Sequence, residues 1–207
     1  MILRRLLAAF ALSAALLAPA PAATSLSAND QAILAAAIKA GEQKNWSQLA
    51  ALSQRADDPT VAAIARWRYL IDRESGATFA DISSFLDAHP NWPNAETTQR
   101  NAERAMSPDM PATQVLAFFK SRQPVSGEGM LMLGAALLAT GDVKEGPIWI
   151  RRGYVAGTFS AAREAQIREQ YAQYLPADAD KLRLSALLWE DDFAGAQRML
   201  AYVDAGT

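Results

Sequence analysis

The sequence predicts an all-α protein built as an array of antiparallel helix hairpins, and three observations carry that expectation. From Ser27 onward the apolar residues recur three and four apart, the period of one helix face. No sustained two-residue alternation of β-branched residues marks a strand. The links between periodic segments are only a few residues long, which forces consecutive helices to fold back on each other.

Ser27 with Asp30 has the spacing of a capping box and opens a helix whose Ile33, Leu34, Ala37 and Ile38 share a face, with Gly41 as its stop. A short helix then runs from Trp46 to about Arg55. Asp58-Pro59 supplies a cap and a first-turn proline, after which Val61, Ile64, Trp67 and Ile71 stack on one side until Gly76. Thr78 with Asp81 repeats the capping box ahead of the stripe Phe79, Ile82, Phe85 and Leu86, which Pro90 ends.

Further helices follow Pro93 and Pro111. Ser126 opens a segment, Met130 to Ala139, that is apolar nearly all round and therefore buried between several neighbours. Gly141-Asp142 turns the chain into a helix bearing Val143, Ile148 and Ile150. Ser160 caps one bearing Ile167, Tyr171, Tyr174 and Leu175, and Asp191-Asp192 precedes Phe193, Ala196 and Leu200.

Lys44-Asn45-Trp46, Thr140-Gly141-Asp142 and Glu190-Asp191-Asp192 are three polar turns, each leading into an amphipathic helix, at spacings too irregular for a 34-residue repeat. A row of such hairpins stacks into a superhelical, TPR-like α-solenoid in which each pair covers its neighbour's apolar face. The end Tyr202-Val203-Asp204-Ala205-Gly206-Thr207 follows an apolar helix without a polar capping helix, the pattern of an interrupted array.

The first residues form a separate unit. Arg4 and Arg5 precede an apolar stretch from Leu6 to Leu17 and the small-residue run Ala18 to Ala23, which is the layout of a secretory signal peptide. The stretch is shorter than the ~20 residues a membrane span needs. Ala20-Pro21-Ala22 offers the cleavage site, giving a signal peptide at 1–22 and one helical domain at 23–207 in the periplasm. The absence of cysteine excludes disulfides, thiolate metal sites and a lipid-bearing cysteine. Removing Arg4 and Arg5 leaves 18 Lys plus Arg against 22 Asp plus Glu, a net charge of about −4 that favours neither nucleic acid nor an anionic membrane as partner.

Several segments together resemble the soluble lytic murein transglycosylases: Trp67-Arg68-Tyr69-Leu70, Ser75-Gly76-Ala77-Thr78-Phe79 and, most specifically, Phe85-Leu86-Asp87-Ala88-His89-Pro90-Asn91-Trp92-Pro93. Gly127-Glu128-Gly129, Phe159-Ser160, Leu187-Leu188-Trp189-Glu190 and Arg198-Met199-Leu200 through Val203-Asp204 continue the likeness over most of Asp58 to Asp204. The resemblance implies the N-terminal superhelical, U-shaped domain of an enzyme that cleaves the MurNAc–GlcNAc linkage of peptidoglycan without hydrolysis, leaving 1,6-anhydroMurNAc ends. It implies peptidoglycan glycan strands, and other periplasmic cell-wall proteins, as partners. In the family the catalytic glutamate, a carboxyl whose pKa an apolar pocket raises, lies in a C-terminal domain within Glu-Ser-x-Phe, followed by Gly-Leu-Met-Gln and Met-Pro-Ala-Thr.

Glu74-Ser75 and Met110-Pro111-Ala112-Thr113 each match a piece of that signature, but no Gly-Leu-Met-Gln lies between them and Glu74 sits in a charged, glycine-bearing turn. Both are read as scaffold. No residue is assigned a catalytic, cofactor-binding or metal-binding role, and no cofactor is expected. His89, the single histidine, stands between a helix end and Pro90, where it satisfies terminal carbonyls and the helix dipole. Trp46, Trp67, Trp92, Trp149 and Trp189 sit at helical spacing among apolar neighbours and are assigned to the core ahead of sugar stacking. Arg66, Arg68, Arg73, Arg151 and Arg152 are assigned to a solvated face, with a groove facing the peptide carboxylates of the glycan as the alternative. The rival to the whole reading is a self-contained periplasmic repeat adaptor that holds a protein partner.

Overall fold

The computed structural model describes residues 25–203, and these are all-helical: eleven α-helices, one 3-10 turn and no strand among the described residues. The expected signal peptide at 1–22 and the terminal Asp204–Thr207 lie outside the described residues.

Helix α1 (Ala28–Glu42) packs on α2 (Trp46–Ser53) and α3 (Pro59–Leu70), and the three share a core of Ile33, Ala37, Leu49, Leu52, Val61 and Ala65. The Ser27 hydroxyl caps the Asp30 amide as expected, but the Asp30 side chain does not complete the box. It is buried, takes the Ser27 hydroxyl at 2.7 Å and accepts from the Asp57 and Asp58 amides at 2.9 and 3.2 Å. A cap residue thereby ties α1 to the α2–α3 link, a role its spacing to Ser27 did not announce. Ile38 departs from its expected face and is exposed, because the buried stripe of α1 runs Ile33, Ala37, Ala40 instead. Helix α3 ends at Leu70, well before Gly76, which takes up a positive φ of 73° in the following turn.

Helix α4 (Phe79–Ala88) opens on the full Thr78–Asp81 capping box and buries Phe79, Ile82, Phe85 and Leu86, all as expected. It pairs with α5 (Ala95–Arg104). Then α6 (Ala112–Phe119) leads into α7 (Gly127–Ala139), which packs on α5, α6 and α8 (Glu145–Ala156). That crowding accounts for a helix apolar on every side. Glycines let α7 and α8 approach closely: a Cβ at Gly134 would lie 2.8 Å from the Gly146 carbonyl oxygen and 2.8 Å from the Ile150 nitrogen. Val143 stands before α8 rather than in it, and Val143 and Ile148 are exposed where Ile150 alone of the expected three is buried.

Helix α9 (Ala161–Tyr171) is capped by Ser160 and continues into the 3-10 turn Ala172–Tyr174. The apolar period predicts no separate helix for the next segment, yet the structure forms α10 (Ala179–Trp189), which packs on α8 and on α11 (Phe193–Val203). Its signal was the spacing of Leu184, Leu187 and Leu188, partly hidden by the charged Asp180, Lys181 and Arg183.

The three polar turns share one geometry. Lys44, Gly141 and Asp191 all have positive φ, at 52°, 91° and 56°. In each turn the next residue's amide reaches back to a helix carbonyl: Asn45 to Ala40, Asp142 to Leu137 and Asp192 to Leu187, at 2.8, 2.8 and 2.9 Å. This is the bond that closes a Schellman-type helix end. The side chain of that same residue then caps the following helix, Asn45 on Gln48, Asp142 on Glu145 and Asp192 on Gly195. The hairpins α1–α2, α7–α8 and α10–α11 are therefore closed by the same device.

Candidate functional site

Three polar constellations stand out, and two of them are structural. In the first, Arg183 of α10 is fully buried and its guanidinium donates to Glu164 of α9, also buried, at 2.8 Å, and to the carbonyls of Tyr154 and Gly157. Beside it Tyr154 donates to Asp180 at 2.6 Å while Arg168 donates to both. Every member has a partner, so the network holds α8, α9 and α10 together and leaves no group free for chemistry.

In the second, Glu103 of α5 is buried and accepts from the Val125 amide at 2.9 Å, from Gln99 at 2.9 Å and from the Ser126 hydroxyl. Burial pushes its carboxyl above the usual range, against the lowering effect of those donors. Ser126 caps α7, so Glu103 fixes the entry to the central helix. Glu103, Glu164 and Arg183 are not among the residues the sequence singles out, because nothing in spacing marks a charge that folds inward.

The third is a cleft of about 600 Å³ between α2, α3 and α4, with an apolar floor from Ala62, Ala63 and Leu70. Its rim carries Gln54, Arg66, Tyr69, Asp81 and His89. Arg66 donates to the Asp81 carbonyl at 2.9 Å and to the Ser84 hydroxyl at 2.8 Å, while the Asp81 carboxylate is taken up by Thr78. His89 is the C-cap residue of α4, and its ring packs against Phe85 and Trp92 at centroid distances of 4.6 and 4.9 Å. Its side chain forms no hydrogen bond to a carbonyl, so the expected capping falls to its backbone amide, which bonds the Phe85 carbonyl at 2.9 Å.

The remaining residues singled out from sequence are dispersed. Glu74 is exposed and pairs with Lys44 at 2.6 Å, which holds its carboxyl below the usual range, the opposite of what a general acid needs. Met110 to Thr113 form the entry to α6. Trp46, Trp67, Trp92 and Trp149 are half-buried, but Trp189 is 85% exposed, which corrects its assignment to the core: it is the last residue of α10 and projects beyond the α10–α11 hairpin. Arg68 bonds the Gly41 carbonyl, Arg151 faces Asp178 at 3.6 Å and Arg152 lies over the Trp149 ring at 5.0 Å. Arg151 and Arg152 flank a second cleft of about 470 Å³, apolar at Met130, Ile148, Val155 and Leu182. Among the described residues no group of three or more His, Cys, Asp or Glu side chains comes together as a metal site requires, and no helix is long and apolar enough to cross a membrane.

Comparison of the chain with protein-family models, with curated proteins and with solved structures yields no match.

Proposed function

We propose that this chain is the superhelical scaffold portion of a periplasmic lytic transglycosylase acting on peptidoglycan, with the bond-breaking chemistry carried by a separate catalytic domain. The observation that carries the reading is the segment Phe85 to Pro93, the most specific part of the family resemblance, in which almost every residue has a defined task. Phe85 and Leu86 are buried, Asp87 pairs with Arg122 next to α6, His89 and Trp92 pack with Phe85 in an aromatic cluster, and Pro90 stops α4. The segment is thus a joint that sets how one hairpin follows the next. The shared closure of the Lys44, Gly141 and Asp191 turns supports stacking of hairpins into a superhelical, TPR-like array. The scaffold's work is to hold glycan strands; Glu74, the carboxylate that matches a piece of the catalytic signature, is exposed and kept in its charged form by Lys44.

The mature chain, from Ala23, is incubated with purified sacculi; binding is measured by sedimentation and release of 1,6-anhydro muropeptides by mass spectrometry. Binding without release is expected, and replacement of Arg151 and Arg152 with Ala weakens sedimentation if the arginine-flanked cleft contributes. No binding removes the scaffold reading, and anhydro products place an active site within these residues.

A second reading, a helical adaptor that holds a protein partner, is favoured by one observation. Leu188, Trp189 and Phe193 are 49%, 85% and 66% exposed around the α10–α11 turn, and exposed apolar groups of this size gathered in one place mark contact surfaces. Absence of sedimentation with purified sacculi, together with a periplasmic protein that co-purifies with the wild-type chain and is lost in Trp189→Ser, would favour it.

A further inference from the structure

We propose that this chain pairs with a second copy of itself across α10, the Trp189 end of each copy entering an arginine-flanked apolar groove on the other. The groove, of about 470 Å³, is walled by Met130, Ile148, Val155 and Leu182, with Arg151 and Arg152 at its edge. Ile148 and Leu182 are 43% and 42% exposed, so the apolar wall is open to an incoming side chain. At the C-terminal end of the same helix Trp189 is the most exposed large apolar side chain among the described residues, and Glu190 and Asp191 follow it directly.

Charge selects what can enter the groove. Arg152 has no carboxylate within ion-pair distance among the described residues and lies over the Trp149 ring, while Arg151 reaches only Asp178, at 3.6 Å, with both side chains well exposed. The turn after Trp189 carries the opposite sign. Glu190 and Asp191 are exposed, and their carboxylates take part in no ion pair or hydrogen bond among the described residues. An indole that enters the groove brings these two carboxylates toward the two guanidiniums, and a guanidinium at the ring face adds a cation–π contact. Tryptophan and arginine are the side chains that most often carry the energy of an interface.

Spacing selects a second copy as the source of that indole. Leu182, which lines the groove, and Trp189 are seven residues apart on one side of α10, two helical turns or about 10.5 Å. Ser185, small and exposed, lies between them on that side. When two α10 helices cross antiparallel at Ser185, each Trp189 comes over the other copy's Leu182, and both grooves fill at once. Groove and indole together are the self-complementary patch that a two-fold interface requires. The pairing takes up the exposed surface on which the adaptor reading rests, and gives it a second copy of the chain as its occupant.

Sedimentation equilibrium of the purified chain over a micromolar concentration series should give a monomer–dimer equilibrium without larger species. Trp189→Ser should weaken the association by roughly tenfold or more, the effect of losing an aromatic anchor. Arg151→Glu/Arg152→Glu and Glu190→Lys/Asp191→Lys should each be monomeric, with circular dichroism showing that the fold is kept. An equimolar mixture of these two variants should dimerise again, because each groove then meets a turn of opposite charge; a role in folding alone cannot produce that rescue.

A chain that stays monomeric across the series overturns the proposal. So does a dimer indifferent to Trp189→Ser, or a mixture of the two charge-reversed variants that fails to pair. A monomeric chain that co-purifies with another periplasmic protein keeps the adaptor reading and removes this one; a dimer that captures no such protein does the reverse.

Discussion

The Arg183 guanidinium and the Glu164 carboxylate meet at 2.8 Å with both side chains almost wholly removed from solvent, the only such pair among the described residues. The arginine is further bound to the Tyr154 and Gly157 carbonyls, which takes up the C-terminal end of α8. Removing the Glu164 carboxylate leaves the buried Arg183 charge without its anion, and Arg198, 3.6 Å from the same carboxylate, without its own, which costs about 3–5 kcal/mol. Glu164→Gln should therefore lower the free energy of urea unfolding by about that amount. The double variant Glu164→Leu/Arg183→Met should lose less than the sum of the two single changes, because neither charge is then stranded. A purely additive double variant would show that the two residues act independently.

Glu103 gives the protein a pH dependence of defined sign. Its carboxyl holds a proton to higher pH in the folded state than in the unfolded chain, because burial penalises the charged form. Between the ordinary glutamate range and that raised value the folded state binds more protons, so its stability falls as pH rises through the window. Chemical unfolding of the wild type and of Glu103→Gln at a series of pH values should show the wild type losing stability relative to the variant from acid toward neutral pH. A difference that stays flat, or grows with pH, contradicts the assignment.

The α7–α8 contact depends on glycine at its crossing. A side chain at Gly134 meets backbone atoms of Gly146 and Ile150, which cannot swing aside as a flexible side chain would. Gly134→Val should destabilise the domain by about 1–3 kcal/mol through overpacking. Gly76→Ala is the contrasting control. Nothing lies within 4 Å of its Cβ, so only the positive φ of 73° resists the change, at a cost of about 1 kcal/mol. Thermal unfolding of the two variants separates packing from backbone conformation.

Asp191 holds a left-handed conformation, φ 56°, at the place where the equivalent α7–α8 turn has Gly141. Asp191→Gly should relieve that strain, a gain of up to about 1 kcal/mol set against glycine's greater freedom in the unfolded chain. Its side chain has no hydrogen bond to lose among the described residues. The expected result is a small rise in melting temperature; a fall would mean that the aspartate contributes a favourable interaction to the turn.

The helical class and the hairpin ends were legible in the sequence because both are local. A capping side chain, a proline at a first turn and an apolar period act within four or five residues, so Thr78 with Asp81, Asp58 with Pro59 and the stripe of α4 could be read directly. The polar turns Lys44-Asn45-Trp46, Thr140-Gly141-Asp142 and Glu190-Asp191-Asp192 are marked in the sequence, and the hydrogen bonds that make them alike are likewise local.

What only the tertiary structure decided concerns groups that are satisfied from far along the chain. Glu103 finds Val125 and Ser126 more than twenty residues away, Asp30 finds Asp57 and Asp58 nearly thirty away, and Arg183 finds Tyr154 across an intervening helix. A charge can be buried only where such partners converge, and their convergence depends on how the hairpins pack rather than on any spacing within one of them. The same reason governs the cleft. Gln54, Tyr69 and His89 are ordinary surface residues of three separate segments until the two cores abut and leave their polar ends facing one space.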